Sequence, residues 1–82
     1  MSKQALTLRN LATGDITALV DDEPLYVNLG MHPMTVRAYM ALGRPYLGVT
    51  LWAYDAGVLV AYELLTAATY SEASDAWVEA GK

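Results

Sequence analysis

Two groups of residues have side chains that catalysis could use. The single histidine, His32, has no cysteine in the chain to join it and no carboxylate at a metal-ligand spacing. It precedes Pro33 at a predicted helix start, a position typical of a capping or surface residue. Ser71 and Ser74 also lie at a predicted helix start, where serine caps the backbone, and no G-x-S-x-G elbow is present. We therefore expect no catalytic centre, no metal and no cofactor.

Charged residues offer two sites for binding rather than catalysis. The acidic run of Asp21, Asp22 and Glu23 lacks the spacing and the distal glutamate of a calcium loop. It is either a solvated turn or a negative patch for a basic partner. Arg37 and Arg44 lie on one side of a predicted helix and its exit, where they either solvate the helix or hold a phosphate or carboxylate.

Composition limits the classes of function that remain. The chain has 82 residues, of which 55% are hydrophobic, with six tyrosines, two tryptophans and four methionines but no cysteine. Tyrosine, tryptophan and methionine are enriched at interface cores. The net charge of −4 disfavours direct binding of nucleic acid. The lack of cysteine, of a secretory signal and of a membrane-length apolar stretch predicts a cytoplasmic protein that does not bind membranes.

Among the elements that position the candidate binding residues, the stretch Tyr46–Thr66 is the most prominent. It is dense in β-branched and aromatic side chains and predicts a β-hairpin with strands Tyr46–Tyr54 and Val58–Thr66. The loop Asp55–Gly57 ends in a glycine that can adopt the positive φ of a three-residue hairpin loop. A helix over Val58–Ala68 is the alternative, because that segment is also rich in helix formers.

Pairing about a three-residue loop predicts that this hairpin is apolar on both faces. Side chains alternate along a strand, so one face is aliphatic and the other is aromatic. The aliphatic face suits a packed helix, whereas the aromatic face needs a helix, a second copy of the chain or a partner to cover it. The predicted contact residues on the aromatic face are Tyr46, Trp52, Tyr54 and Tyr62.

The rest of the chain predicts three strands and two helices. A capping box, Thr69-x-x-Glu72, marks the start of the second helix. The order β-β-(β)-α-β-β-α predicts a single α+β domain over residues 1–82, a two-layer sandwich in which two helices pack on an antiparallel sheet of 4–5 strands. The predicted segments are Ala5–Asn10, Ile16–Val20 and Leu25–Leu29 for the strands and Pro33–Leu42 and Tyr70–Ala80 for the helices.

These features favour a protein-binding module over an enzyme. In size, mild acidity and lack of cysteine, the chain resembles accessory proteins of bacteriophages, including the anti-CRISPR inhibitors, although no sequence motif carries the resemblance. It implies a homodimeric inhibitor that sterically blocks a host defence complex in the host cytoplasm. The aromatic residues would be the anchors and Asp21, Asp22 and Glu23 the charged rim. The alternatives are a domain that binds a small anionic ligand through Arg37 or Arg44, and a structural subunit of a larger assembly.

Overall fold

The computed structural model describes residues 3–30, 32–43 and 45–80, which form an antiparallel sheet of five strands and one short helix. No helix within these ranges is long and apolar enough to cross a membrane. The elements in chain order are β1 (Gln4–Asn10), β2 (Ile16–Val20), β3 (Pro24–Leu25), β4 (Met34–Thr35), α1 (Val36–Ala41), β5 (Thr50–Asp55), β6 (Val58–Ser71) and β7 (Ala76–Glu79).

Strand β6 is the centre of the sheet because it pairs with three other strands. The strand order is β2-β1-β6-β5, and β7 also pairs with β6. One edge of β6 pairs with β1. The other edge pairs with β5 over Val58–Glu63 and with β7 over Ala68–Ser71, so β5 and β7 lie end to end. The segment Val58–Ala68 is therefore a strand, not the helix that was its alternative.

The main hairpin forms, but its predicted register is wrong by one residue. Asp55 pairs with Val58, which leaves Ala56 and Gly57 as a two-residue loop with φ values of 52° and 82°. Positive φ at both positions is typical of a type I′ turn, whose twist matches that of the flanking strands. Shifting the register by one residue moves a strand's side chains relative to its partner. Trp52 consequently pairs with Ala61 instead of Val60.

The shifted register separates residues that we predicted to share one aromatic face. Tyr62 lies opposite Leu51 and faces the core, whereas Trp52 and Tyr54 point to the other side of the sheet. A β-bulge interrupts the pairing of β1 with β6: Thr7 pairs with Thr66 but Leu8 pairs with Leu64, so Leu65 is the extra residue. The bulge lets Leu64 and Ala67 both face the core.

The predicted second helix, Tyr70–Ala80, is wrong. Strand β6 continues to Ser71, and β7 returns to pair with it after a turn over residues 72–75. Tyr70 lies directly opposite Trp77, and their ring centroids are 5.4 Å apart. The Tyr70 hydroxyl also donates a hydrogen bond to Oδ1 of Asp75 in the turn. Strand pairing and these cross-strand contacts therefore replace the helix and its capping box.

The first helix is confirmed but is shorter than predicted. Thr35 caps it, since its Oγ1 accepts a hydrogen bond of 3.1 Å from the Ala38 N–H. The residues before it pair with β3 in a small second sheet instead of extending the helix from Pro33. Helix α1 packs two residues, Val36 and Tyr39, into the core of the molecule. The other members of that core are Leu6, Leu8, Leu25, Leu51, Ala53, Tyr62, Leu64 and Ala67.

Candidate functional site

The sheet has an inner face that meets α1 and an outer face that no described element covers. We define the inner face by Leu6, Leu8, Leu51 and Leu64, which pack with α1 in the core. Alternation places the neighbouring residues of each strand on the outer face. The outer face is defined by Ala5, Thr7, Arg9, Ile16, Ala18, Val20, Thr50, Trp52, Tyr54, Leu59, Ala61, Glu63, Thr66, Ala68, Tyr70, Trp77 and Glu79.

Large apolar side chains on the outer face are exposed. Tyr54 is 60% exposed and Ile16 is 57% exposed, and Val20, Leu59 and Trp77 are also exposed. Single exposed apolar residues are ordinary, but several large ones on one sheet face are typical of an interaction surface. The segment predicted as the second helix is a strand of the sheet, so the described residues include one short helix to cover a sheet that is apolar on both faces.

Aromatic residues form a cluster at the β5 edge of the outer face. Tyr26 bridges to Trp52 through a reciprocal pair of backbone hydrogen bonds of 2.7 and 2.9 Å. The Tyr26 and Tyr54 rings meet edge to face, with centroids 5.8 Å apart. This contact favours the observed orientation of the exposed Tyr54 ring, and an aromatic side chain that is partly ordered beforehand loses less entropy on binding.

One ion pair crosses the middle of the outer face. Nη1 of Arg9 lies 3.5 Å from Oε1 of Glu63, directly across the β1–β6 pair. Both side chains are partly exposed, so the pair adds little to the stability of the single chain. The middle of the outer face therefore holds one positive and one negative group side by side.

The predicted acidic run and the predicted anion site lie together. Arg37 lies 3.4 Å from Asp21 and 3.6 Å from Asp22, measured from guanidinium nitrogen to carboxylate oxygen. Asp21 also accepts a hydrogen bond of 2.9 Å from the Gln4 N–H. An anion at Arg37 would have to compete with these carboxylates. Arg44, the other predicted anion-binding residue, lies outside the described residues.

Glu23 closes part of the free edge of β2. Its Oε1 accepts from the Val20 N–H at 3.0 Å, and its own N–H donates to the Val20 carbonyl at 3.0 Å. These bonds occupy the outward peptide groups of Val20, in the way that natural sheets protect an edge. Ile16 and Ala18 present their peptide groups on the same outward edge.

The inner face also contains an open cleft, next to the core and away from α1. The cleft has a volume of about 250 Å³ and lies where the β1–β2 turn approaches the β5–β6 turn. Its apolar lining consists of Leu8, Ala18, Leu19 and Ala53, and Tyr54 of the outer face also lines it. We call it the inner cleft; its polar lining includes Asp15, Glu23, Asp55 and Tyr62.

Tyr62, predicted as an aromatic anchor, lies instead in the wall of the inner cleft. The residue is only 5% exposed and lines the cleft together with Leu8 and Asp55. Burial, together with the negative charge of Asp55, raises the pKa of the Tyr62 phenol above its usual value. The phenol is thus neutral at physiological pH and close to the Asp55 carboxylate.

The last predicted contact residue, Tyr46, lies on a separate surface. It is 70% exposed and lines an apolar groove of about 280 Å³ beside the end of α1, with Val27, Tyr39, Leu42 and Val49. Tyr46 is therefore not a neighbour of Trp52 and Tyr54 on the outer face.

Sequence reasoning missed several residues of these surfaces. Ile16 and Val20 lie an even number of residues apart in a short strand, a pattern that predicts one shared face but is weaker than a run of aromatic residues. Tyr26 joins the aromatic cluster through an isolated bridge, for which no local sequence pattern exists. Among the residues described, no cluster of histidine, cysteine or carboxylate side chains could hold a metal ion.

Comparison with known proteins finds no family model, no curated protein and no solved structure that matches the chain. The function is therefore inferred from the surfaces themselves, above all from the outer face.

Proposed function

We propose that this chain is a non-enzymatic protein-binding module whose contact surface is the outer face of the sheet. The observation that carries the proposal is the exposed apolar set on a face that no described element covers. Burial of such a surface is favourable by roughly 25 cal/mol per Å² of apolar area. The Tyr26–Tyr54 pair provides an aromatic anchor of the type found in binding hot spots.

The first occupant that the outer face suits is a second copy of the chain. Its single ion pair is self-complementary, because a two-fold axis between Arg9 and Glu63 would bring each residue close to the other one in the partner. The Arg9–Glu63 pair has no net charge, so it does not select a strongly charged partner. Two such faces packed together would give a four-layer molecule with a helix on each outer side.

The size of the outer face is sufficient for a modest dimer. Four strand positions at about 4.8 Å and about eight residues at about 3.4 Å span roughly 500 Å² on each chain. Specific interfaces begin near about 1,000 Å² in total, so the outer face is close to the lower limit. A dimer of moderate affinity is the expected result.

The dimer would act on other proteins by steric occupancy. An inhibitor of a host defence complex, of the kind that phage accessory proteins supply, remains our more specific proposal for its role in the cytoplasm. A module of this type needs exposed anchors and no catalytic group. The apolar groove with Tyr46 is the surface that a dimer built on the outer face leaves available for such a partner.

Charge reversal tests the self-association. Arg9→Glu places two negative charges at the middle of the outer face, and Glu63→Arg places two positive charges there. Each variant alone should be monomeric, because two like-charged faces repel each other. When the two variants are mixed, native mass spectrometry should show a heterodimer, since opposite faces then meet.

The mixing experiment separates contact between chains from contact within one chain. If the ion pair mattered only within a chain, the mixture would remain monomeric like its components. Monomers in the mixture, with folded components and a dimeric wild type, would overturn the proposed arrangement. The wild-type chain and the double variant Arg9→Glu/Glu63→Arg should both be dimeric.

A further inference from the structure

The outer edge of β2 is only partly closed. Strand β2 lies at one side of the sheet, and alternate residues of an edge strand point their peptide groups away from the neighbouring strand. The Asp15 carbonyl accepts a hydrogen bond of 2.8 Å from an N–H of β1. The peptide groups that point outward are consequently those of Ile16, Ala18 and Val20. Glu23 bonds to both groups of Val20, whereas no described residue bonds to those of Ile16 and Ala18.

The two N–H donors and two carbonyl acceptors of Ile16 and Ala18 form a short row that we call the open edge. In an antiparallel pair, opposite residues of the hydrogen-bonded kind exchange both of their bonds. A short antiparallel strand therefore satisfies the whole open edge when two of its alternate residues lie opposite Ile16 and Ala18. Glu23 fixes this register, because it already occupies the next outward position at Val20. Sheet edges bind extended peptides in this way, with main-chain bonds for affinity and pockets for specificity.

The inner cleft provides such a pocket beside the open edge. The middle residue of the added strand would lie opposite Thr17 and point to the inner face, as Thr17 does. Thr17 and Leu8 both line the cleft, and they lie opposite each other in the β1–β2 pair. The volume of about 250 Å³ is below that of pockets for drug-sized ligands, so it suits a single side chain. A leucine at the middle position would extend over Thr17 towards Leu8.

The outer side of the open edge also favours apolar neighbours. The residues of the added strand that flank its middle position would point to the outer face, beside Ile16 and Ala18. Ile16 is 57% exposed, and a β-branched side chain next to it would cover part of its surface. The segment that fits the open edge therefore has consecutive apolar residues at its centre.

Charge favours a different protein over a second copy of the chain as the partner. Carboxylates lie at both ends of the open edge, Asp15 before Ile16 and Glu23 beside Val20, and both residues line the inner cleft. No lysine or arginine among the described residues lines that cleft. A second copy that paired through its own β2 would bring the same carboxylates together, which is unfavourable. A segment with a lysine or arginine on each side of its apolar residues is complementary instead.

We propose that the open edge binds an extended segment of another protein as an added antiparallel strand. The middle apolar residue of that segment would occupy the inner cleft, and a basic residue at each end would lie near Asp15 and Glu23. This contact surface is separate from the outer face. It requires neither the proposed dimer nor the groove with Tyr46.

Amide hydrogen exchange tests the added strand with a defined probe, N-acetyl-Lys-Val-Leu-Val-Lys amide. At saturation, the Ile16 and Ala18 amides should exchange at least tenfold more slowly, because each gains a hydrogen-bond acceptor. The Thr17 and Leu19 amides already face β1 and should change much less. Equal slowing at all four positions, or none at Ile16 and Ala18, would overturn the proposal.

Matched N-methylated peptides test the register without any change to the protein. Methylation of both valine nitrogens removes the donors that would face Ile16 and Ala18, and should raise the Kd at least tenfold. Methylation of the leucine nitrogen, whose N–H would point away from β2, should change the Kd by less than threefold. Equal weakening by the two modifications would show that the peptide does not bind as a strand in this register.

Two further comparisons test the charge and separate this site from the dimer. A Glu-Val-Leu-Val-Glu peptide should bind at least fivefold more weakly than the lysine peptide, and equal binding would contradict the proposed complementarity. Leu59→Lys, whose substitution lies on the outer face, should bind the lysine peptide as wild type does, and loss of binding by this folded variant would contradict a separate site. If Leu59→Lys self-associates and the peptide dissociates it, the occupant is a second copy and the proposal is wrong.

Discussion

The inner and outer faces belong to the same strands but differ in how far they are buried. On β6, Leu64 is fully buried on the inner face, whereas Leu59 is 37% exposed on the outer face. Helix α1 covers the inner face only in part, so a dry core and an open cleft lie next to each other there. The outer face has no covering element among the described residues and keeps its apolar side chains exposed.

The difference shows that hydrophobic composition alone does not identify a core. A chain in which 55% of residues are hydrophobic has more apolar surface than one short helix can cover. The residues that become core are those that register and bulge direct towards α1. Residues of the same type on alternate positions become a surface that a partner can use.

The largest expected effect comes from truncating matched leucines on the two faces of β6. Leu64→Ala should lower the free energy of unfolding by about 3 kcal/mol at any protein concentration, because it leaves a cavity in the core. Leu59→Ala should cost about 0.5 kcal/mol in dilute protein and more in concentrated protein, since its contact lies between chains. Urea unfolding at two protein concentrations measures both effects. A loss for Leu59→Ala that does not depend on protein concentration would contradict a contact of Leu59 between chains.

The next effect concerns the turn that decides which residues face which side. Gly57→Ala should destabilise the protein by about 1–2 kcal/mol, because a side chain at φ 82° is strained. Ala56→Asn should stabilise it by about 0.5 kcal/mol, since asparagine tolerates the positive φ of a type I′ turn. Thermal unfolding compares the two variants with wild type. Opposite signs are required, and destabilisation by Ala56→Asn would argue against the two-residue loop and its register.

A smaller effect should appear on the inner face at high pH. Burial raises the pKa of both Tyr39 and Tyr62 above 10.0, with Asp55 adding to the shift of Tyr62. Above pH 10 the unfolded chain loses these protons before the folded chain does, so the folded state binds more protons and stability falls as pH rises. Urea unfolding from pH 8 to 11 should show a shallower fall for Tyr62→Phe, and an unchanged slope would contradict this environment for the phenol.

The smallest effect is expected for the ion pair on the outer face of the single chain. A double-mutant cycle of Arg9→Gln and Glu63→Gln should give a coupling energy of about 0.5 kcal/mol or less in dilute protein, because both side chains are partly exposed. The same cycle on the dimerisation constant should give a larger value. A strong coupling in the monomer would mean that the pair is a structural feature and not a contact between chains.

The sequence was sufficient to predict elements that short-range patterns of residues determine. Strand β2 has the predicted bounds, and α1 has the predicted Val36–Tyr39 core contact. The C-terminal segment was predicted wrongly because Tyr70 and Trp77 are seven residues apart. That spacing puts two residues on one stripe of a helix, and it also puts them opposite each other across a four-residue turn.

Register and long-range contacts could not be predicted because they depend on tertiary packing. Ala56 adopts a positive φ that its side chain does not favour, and the extra residue at Leu65 has no local signal. Both features direct Tyr62 and Leu64 towards the core. The candidate surfaces were therefore predicted in part: Trp52 and Tyr54 lie on one face as expected, but Tyr62 lies in the inner cleft and Arg37 is paired with the acidic run.

The most direct test of the outer face is sedimentation velocity over a range of protein concentrations for wild type, Leu59→Lys and Leu42→Lys. Leu42 is an exposed leucine at the end of α1, on the opposite layer of the molecule, so its variant controls for the added charge. We predict a reversible dimer for wild type and for Leu42→Lys, and a folded monomer for Leu59→Lys. A wild-type monomer at all concentrations, or a Leu59→Lys dimer as stable as wild type, would contradict the proposed self-association through the outer face.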